Sequence, residues 1–556
     1  MDLIELIRQG VERYPDAVAL QQDDGRGGLR SFTRREASER SRALAGALRA
    51  GGVEKGGRVA LLAGNRPEWG MAYFGTLLAG GVLVPLDIRL TPGELENILR
   101  RARCGVLLAD GEQETALPRL AGALAPPGLF LRLDEAAPWE APLLAEEARP
   151  QPEDTALIVF SSGTTGPPKG VVLTHRNVAS NVLAMREVFE AGPADVFLSV
   201  LPLNHMFEST AGLLSPWVAG ARVHYLHSLN PRTLMEAMVR QRASISLMVP
   251  ALLRLLHRRI FQEVKARGRV QRALFGALFS LSRAGLRWDL RLGRWFFPAV
   301  RRSFGGRLRF LVSGGAPLDL PILRDLTALG LEVIQGYGLT EASPATHCNR
   351  PDHNRLGTVG QPLPGVEVEI LHREGDNPGE GEVLIRGPGI MAGYFEDPAL
   401  TAETLREGWL YTGDIGRIDA EGFLTICGRS KNVIVSEAGK NIYPEEVEEE
   451  LAQSPLIREV CVLGRKVSRA GQMAEEVFAV IVPDGEALAA AGHEGREREA
   501  LAAEVRARCR NLADYKRVRD FVLWEGDSLP KTTTLKFKRR DIVARLRERP
   551  ELARAF

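Results

Sequence analysis

The sequence predicts an α/β protein: a large N-terminal domain of α/β layers with a β-rich subdomain, then a smaller α+β C-terminal domain. Three observations carry this. Over residues 30–160 helical patterns alternate with short apolar runs, as expected of helices packed on a largely parallel sheet. After Gly360 the texture changes to two-residue alternation, and beyond Gly428 helical and apolar segments alternate again on a smaller scale. At 556 residues the chain is longer than a single core organises, so more than one folding unit is expected.

The N-terminus, MDLIELIRQGVERYP, carries Asp2 and Glu5 where a signal peptide needs a basic start, and reads as a short amphipathic helix. Arg34 to Ala50 is helical in pattern, while Val59–Ala63, Val82–Leu86 and Gly105–Ala109 read as strands. The uncharged run Trp69 to Leu86 has the length of a membrane span but contains Gly70, Gly75, Gly80, Gly81 and Pro85. It reads as a buried helix that turns through Gly-Gly into a strand. Further on, Val366–Ile370 and Glu382–Ile385 alternate as half-exposed antiparallel strands, separated by the turn-rich stretch Glu374 to Gly381. The last section offers a helix (Tyr443–Gln453), two apolar strands (Val460–Leu463 and Val477–Val482), a charged helix (Arg496–Asn511) and a final strand (Val518–Trp524).

Composition excludes several function classes. Lys and Arg number 72 against 70 Asp and Glu, a net charge of +2, so the basic excess of a dedicated nucleic-acid binder is missing. Hydrophobic residues at 45% and charged residues at 26% rule out wholesale disorder and collagen-like or channel compositions. The five cysteines are odd in number, scattered, and never spaced as C-x-x-C, which reads as reduced packing thiols of a cytoplasmic protein. One stretch breaks the charge balance: residues 258–309 hold fourteen Lys and Arg against only Glu263 and Asp289, with Leu, Phe and Trp between them. Two readings stand, peripheral contact with the anionic inner face of a membrane and a solvated arginine face on helices whose apolar side is ordinary core. Nothing in the sequence points to an obligate protein partner.

The segment Ser161-Ser162-Gly163-Thr164-Thr165-Gly166-Pro167-Pro168-Lys169-Gly170 is the most informative. Glycines, hydroxyls and a closing lysine can wrap backbone N–H groups, O–H groups and an ammonium around phosphate oxygens. The pattern is not G-x-x-x-x-G-K-[ST], and the chain beyond Gly170 reads as a strand where that motif opens a helix, so a GTPase-like mechanism loses support. A flexible Ser- and Gly-rich hairpin would explain the composition but not this order of residues.

Four more segments stand later in the chain: Tyr337-Gly338-Leu339-Thr340-Glu341, Tyr411-Thr412-Gly413-Asp414, Gly428-Arg429-Ser430-Lys431 continuing to Gly439-Lys440-Asn441-Ile442, and Pro530-Lys531-Thr532 with Lys536. With the loop at 161–170, the chain resembles an AMP-forming acyl-CoA synthetase of the adenylate-forming superfamily over essentially its whole length. The resemblance implies an enzyme in which a carboxylate attacks the α-phosphate of ATP, pyrophosphate leaves, and coenzyme A then attacks the acyl-adenylate. It implies an N-terminal ATP- and acyl-binding domain, 1–428, and a mobile C-terminal domain, 429–556, with Lys431 as the hinge. It assigns Ser161 to Gly166 and Lys169 to the phosphates, and Tyr337, Gly338, Thr340, Gly314, Gly315 and Ala316 to the adenine end. Asp414 and Arg429 fall to the ribose, Glu341 to Mg2+, and Gly439 and Lys440 to coenzyme A. Lys536 would supply cationic charge where the two anions meet, and His205 would stand at the edge of the acyl and thiol channel, where a satisfied packing histidine is the plain alternative. The family's lysine motif has Gly where this chain has Leu535, so Lys531 and Lys538 stay open as candidates beside Lys536.

The arginine-rich segment running into Ser313-Gly314-Gly315-Ala316 is similar to long-chain fatty acyl-CoA synthetases, with a helical insert before that strand. This implies a medium- or long-chain fatty acid substrate, with aromatic and small acids still open. A fatty acyl-AMP ligase that serves a carrier protein, and a non-catalytic nucleotide- or acyl-binding protein, are the competing readings.

Overall fold

The computed structural model describes residues 1–161, 168–226, 230–436, 440–469, 472–532, 537–549, 552–553 and 555–556. Contacts divide them into two compact units. The first holds the chain to residue 367 together with 386–405, and the second holds 368–385 and 406–556.

The first unit is built on two mostly parallel sheets, and the strands expected over residues 30–160 share one of them. In the first of these, the strands Thr155–Ser161, Val82–Pro85, Arg58–Leu62, Val106–Ala109 and Leu129–Arg132 lie side by side in parallel, and Lys169–Thr174 and Gly393–Tyr394 complete one edge antiparallel. The central strands are buried on both faces, which is why they read as unbroken apolar runs. The other sheet sets Val333–Gly338, Phe310–Ser313, Ile245–Met248, Val196–Ser199, Arg222–Tyr225 and Val18–Asp23 parallel, with antiparallel strands at both edges. Its strand order departs from chain order because parallel neighbours need long crossovers.

Local signals place the helices as expected. Helix Arg34–Ala50 starts at a capping box in which Thr33 and Glu36 satisfy each other's backbone. Every residue of helix Pro67–Leu78 is buried, and the chain turns at Gly80-Gly81 into strand Val82–Pro85. Among the described residues no helix is long and apolar enough to cross a membrane. The basic stretch folds as helices Pro250–Lys265 and Arg269–Gly285, followed by the short helices Gly293–Phe296 and Pro298–Ser303 ahead of strand Phe310–Ser313. Arg34 is fully buried and donates to the carbonyls of Trp217, Pro216 and Ala221 at 3.0, 3.1 and 2.7 Å, tying the second helix to a segment far along the chain.

The second unit begins with an antiparallel sheet that includes Gly381–Arg386, Trp409–Ile418 and Leu424–Arg429. It continues into a three-stranded sheet of Ile457–Arg469, Gln472–Pro483 and Asp520–Leu523. Both faces of that sheet are covered, so alternate residues enter different cores. Val460, Val462, Val477 and Ala479 face helices Pro444–Ala452 and Glu497–Arg508, whereas Cys461, Leu463, Phe478 and Val480 face helix Arg539–Arg547. The first two strands run longer than their apolar runs because pairing continues through Arg465 opposite Glu476 and Lys466 opposite Glu475. All five cysteines are unpaired, and burial pushes the thiols of Cys104, Cys348, Cys427 and Cys461 up to about 12, which leaves them inert.

Candidate active site

In the first unit, the carboxyl ends of parallel strands gather the candidate segments. Strand Phe310–Ser313 runs into Gly314-Gly315-Ala316, and its neighbour Val333–Gly338 carries Tyr337 and Gly338 into a one-turn helix, Thr340–Ala342, that holds Glu341. This edge is where open α/β sheets receive ligands. Gly338 cannot be larger, because a Cβ there would lie 1.8 Å from the Pro344 carbonyl oxygen. Gly315 adopts a left-handed backbone with φ +82°, and a Cβ on Gly314 would meet the Phe207 ring at 3.0 Å. Tyr337 is half-buried, with its ring centroid 6.1 Å from that of His347, whose imidazole burial pushes down to about 3 and so keeps neutral.

Strands Thr155–Ser161 and Lys169–Thr174 pair antiparallel, with Ser161 opposite Lys169 at the end of the ladder. Ser162, Gly163, Thr164, Thr165 and Gly166 lie outside the described residues. The Lys169 ammonium sits 5.6 Å from the ring centroid of Tyr394, and the Tyr394 hydroxyl donates to Glu341 Oε1 at 2.9 Å. The backbone fixes this array from two sides. Strand Gly393–Tyr394 pairs with residues 171 and 172, and the Met391 N–H donates to the Glu341 carbonyl at 2.9 Å.

His205 comes after strand Val196–Ser199, and its Nε2 lies 3.9 Å from Asp87 Oδ2, just past strand Val82–Pro85. It therefore stands where the carboxyl edges of the two sheets meet. Asn65 locks the approach: its amide donates to the Leu201 carbonyl at 2.6 Å, and its Oδ1 accepts from the Leu203 N–H at 2.9 Å. Beyond His205 the chain forms a π-helix, Phe207–Leu214, which buries Glu208. Burial pushes that carboxyl up to about 8, against only partial relief from the Ser199 hydroxyl and the Leu201 backbone.

In the second unit, strand register sets Asp414 opposite Arg429, with Arg429 Nε 2.7 Å from Asp414 Oδ1. The carboxylate is buried and the guanidinium half-exposed, so the pair presents one cation and one anion at a strand end. Lys431 is exposed in the turn Ser430–Asn432. The Lys440 ammonium lies 5.0 Å from the Tyr515 ring centroid, while Gly439 lies outside the described residues. Lys536 and Leu535 also lie outside them. Of the alternatives to Lys536, Lys531 is already ion-paired with Glu459, and the Lys538 N–H donates to the Pro530 carbonyl at 2.8 Å. The next residue, Arg539, is held at 2.8 Å from Glu448, 3.2 Å from Glu445 and 2.6 Å from the Val462 carbonyl, which anchors the chain just past position 536.

Residues 7–395 match the AMP-binding enzyme family, and residues 446–536 match the AMP-binding enzyme C-terminal domain. This chain belongs to the AMP-binding enzyme family. It is 32% identical to the human protein named long-chain-fatty-acid–CoA ligase 1 over 473 residues, which cover 77% of this chain and 66% of that one. It is 31% identical to a feruloyl-CoA synthase of an Amycolatopsis species, over 82% of this chain and 85% of that one. Among solved structures, o-succinylbenzoate CoA synthetase of Bacillus subtilis with its acyl-adenylate superposes with TM-score 0.77 at 26% identity, covering 97% of each chain. The ATP-bound MatB of Rhodopseudomonas palustris gives 0.76 at 25% identity, covering 98% of each.

In this AMP-binding enzyme, sequence reasoning missed Tyr394, Asn65 and Glu208. Tyr394 sits on a strand of two residues, too short for any periodicity. Asn65 lies in a loop and belongs to none of the recognised motifs. Glu208 stands three residues after His205 in sequence, but only the fold shows it to be buried. Among the described residues no group of three or more His, Cys, Asp or Glu could hold a metal ion by itself.

Proposed function

We propose that this chain is an AMP-forming acid–thiol ligase that converts a medium- or long-chain fatty acid, ATP and coenzyme A to acyl-CoA, AMP and pyrophosphate. The observation that carries the reading is the array of Lys169, Tyr394 and Glu341 beside the phosphate-type loop. In the first half-reaction a substrate carboxylate oxygen attacks the α-phosphorus, and the bond to the bridging oxygen of pyrophosphate breaks. Both reactants are anions, so the site must bring cations to the phosphates. Lys169 would supply one, and the hydroxyls and backbone N–H groups of residues 161–166 are assigned to the same phosphates. Glu341, oriented by the Tyr394 O–H, offers one carboxylate to Mg2+, which suits an ion that takes few protein ligands and fills its shell with phosphate and water oxygens. When bound, that ion neutralises phosphate charge.

Tyr337 is assigned the adenine face, with Gly314, Gly315, Ala316, Gly338 and Thr340 around it, and Asp414 and Arg429 the ribose hydroxyls. Lys536 is assigned the α-phosphate during this step. In the second half-reaction the coenzyme A sulfur attacks the acyl carbonyl and AMP leaves. His205 would border the acyl and thiol path, and Gly439 and Lys440 the pantetheine. Because Lys536 and Gly439 serve different steps, residues 429–556 are proposed to swing about Lys431 against 1–428.

The helices over 250–303 and the likeness to a protein named as a long-chain ligase support the fatty acid. The likeness to a feruloyl-CoA synthase favours a second reading, an aromatic acid. The test is pyrophosphate release by the full chain with palmitate, octanoate or ferulate, with and without coenzyme A. Palmitate or octanoate should release pyrophosphate and give one acyl-CoA each. Preference for ferulate selects the second reading, and acyl-AMP without acyl-CoA selects an acyl-AMP ligase. No pyrophosphate with any acid leaves a binding protein.

A further inference from the structure

Helix Arg269–Gly285 and the turn after it carry an apolar stripe that the fold does not cover. Val270, Leu274, Ala277, Leu281, Ala284 and Trp288 recur at spacings of four, three, four, three and four, and all are exposed. At 3.6 residues per turn they fall within a sector of about 80°. Val270 is 82% exposed and Trp288 72%, and beyond them Trp295 is 83% exposed. The helix has a separate packed side: the half-buried Phe275 and Phe279 pack on Phe261 with ring centroids 6.1 and 5.3 Å apart, Phe275 also meets Phe297 at 5.1 Å, and the buried Ser282 hydroxyl donates to the Ala328 carbonyl at 2.8 Å. The exposed stripe is thus additional to the packed side, which fits the reading of ordinary core.

The charge around the stripe is predominantly basic, against only Glu263 and Asp289. Of the fourteen basic residues in 258–309, only Arg259, Arg283, Arg291, Arg294 and Arg309 have acidic partners, and the other nine make no ion pair among the described residues. Arg269 and Arg287 lie about 100° round the helix from the centre of the stripe. From there long stems can hold guanidinium groups level with its rim.

We propose that this face docks on an anionic lipid bilayer, with the stripe and Trp288 and Trp295 entering the interface and the unpaired arginines meeting the headgroups. The combination asks for that occupant. A helix lying in the membrane plane presents one apolar sector with cations beside it, and tryptophan ring systems partition to the headgroup level. An acidic protein would satisfy the arginines but would not need a solvent-facing tryptophan at the end of an aliphatic stripe. The docking does not rest on the substrate reading, since ligase activity on a water-soluble acid and lipid binding are separate measurements.

The test is co-sedimentation of the full chain with vesicles of phosphatidylcholine alone or with 30% phosphatidylglycerol, at low and high salt, with tryptophan emission recorded. Binding to the anionic vesicles at low salt is expected, with a blue-shifted emission, and at least about tenfold weaker binding to neutral vesicles or in high salt. Two variants separate the contributions: Leu274→Ser with Leu281→Ser removes apolar contact and keeps every charge, and Arg267→Gln with Arg269→Gln and Arg272→Gln does the reverse. Each should weaken binding at least about tenfold, given roughly fivefold per charge near a membrane surface. All five positions are exposed, so circular dichroism and activity on octanoate should stay as in the parent. The proposal is overturned by absent binding to anionic vesicles at low salt, by equal binding to neutral ones, or by binding that either variant leaves intact. A lipid-free dimer that Leu274→Ser with Leu281→Ser dissociates would also overturn it, in favour of an interface between copies.

Discussion

At the scale of single residues, the site depends on hydrogen bonds that hold charges in place. Tyr394→Phe removes the donor to Glu341 Oε1 but keeps an aromatic face for the Lys169 ammonium, so it isolates one bond. A charge-assisted hydrogen bond of about 1.5–3 kcal/mol predicts a fall of about tenfold or more in kcat/KM for adenylate formation, partly restored by higher magnesium. An unchanged magnesium dependence would separate Tyr394 from the metal. Lys536→Ala should slow adenylate formation by at least about 10²-fold and spare conversion of a supplied acyl-adenylate to thioester. Near-normal pyrophosphate exchange in that variant would move the role to Lys538, because Lys531 is engaged with Glu459. Glu208 gives a pH signature. Its folded value, raised to about 8 by burial, lies above the ordinary 4.5, so between those values the native state holds a proton that the unfolded chain has lost. Its contribution to stability is therefore greatest below about pH 4.5 and declines as pH rises towards 8. Glu208→Gln should melt near the parent at pH 5 and gain about 1–3 kcal/mol on it by pH 8.5. Parallel melting curves at both pH values would show that the carboxyl is not held protonated.

At the scale of elements, helix Arg539–Arg547 is tied to the small sheet by one ion-paired side chain in addition to the core it covers. Arg539 meets Glu448 and Glu445 of helix Pro444–Ala452 and the Val462 carbonyl of the adjoining strand. Arg539→Leu leaves Glu448 buried without its cation and should cost about 3–5 kcal/mol in urea denaturation of the second unit. Arg539→Leu combined with Glu448→Leu removes the stranded charge and should recover most of that loss. A double variant as unstable as the single one would mean that packing, not charge, is responsible. Elements of this kind were legible wherever the pattern is local: helix Arg34–Ala50 carries its own capping box and apolar face, and strand Val106–Ala109 its own apolar run. The strand Gly393–Tyr394 was not legible, because its two residues become a strand only by pairing with residues 171 and 172, more than two hundred positions earlier.

At the scale of the whole molecule, the proposed chemistry needs two arrangements of the C-terminal segment. Gly428 packs close to Tyr443, where a Cβ would meet the ring at 2.8 Å, and a pivot at Lys431, as proposed, predicts that these residues part. Lys431→Pro fixes φ near −65° and removes the N–H at an exposed position, so it restricts the pivot without entering either half of the site. Adenylate formation should stay within about tenfold of the parent while thioester formation is largely lost. Equal losses in both half-reactions with an intact circular dichroism spectrum would rule out Lys431 as the hinge.

The sequence by itself determined what depends on neighbours in the chain: the α/β class, the helix that turns at Gly80-Gly81, the strand that follows the Ser- and Gly-rich segment, and the order of motifs that marks the AMP-binding family. Each rests on periodicity, capping or turn chemistry read over a few residues. Tertiary structure alone decided that two sheets share the first unit, that Asn65 pins the loop ahead of His205, that Tyr394 reaches Glu341, and that the stripe from Val270 to Trp288 stays uncovered. These depend on which distant segments come together, and an apolar face reads the same in sequence whether it is packed against a neighbour or left facing solvent.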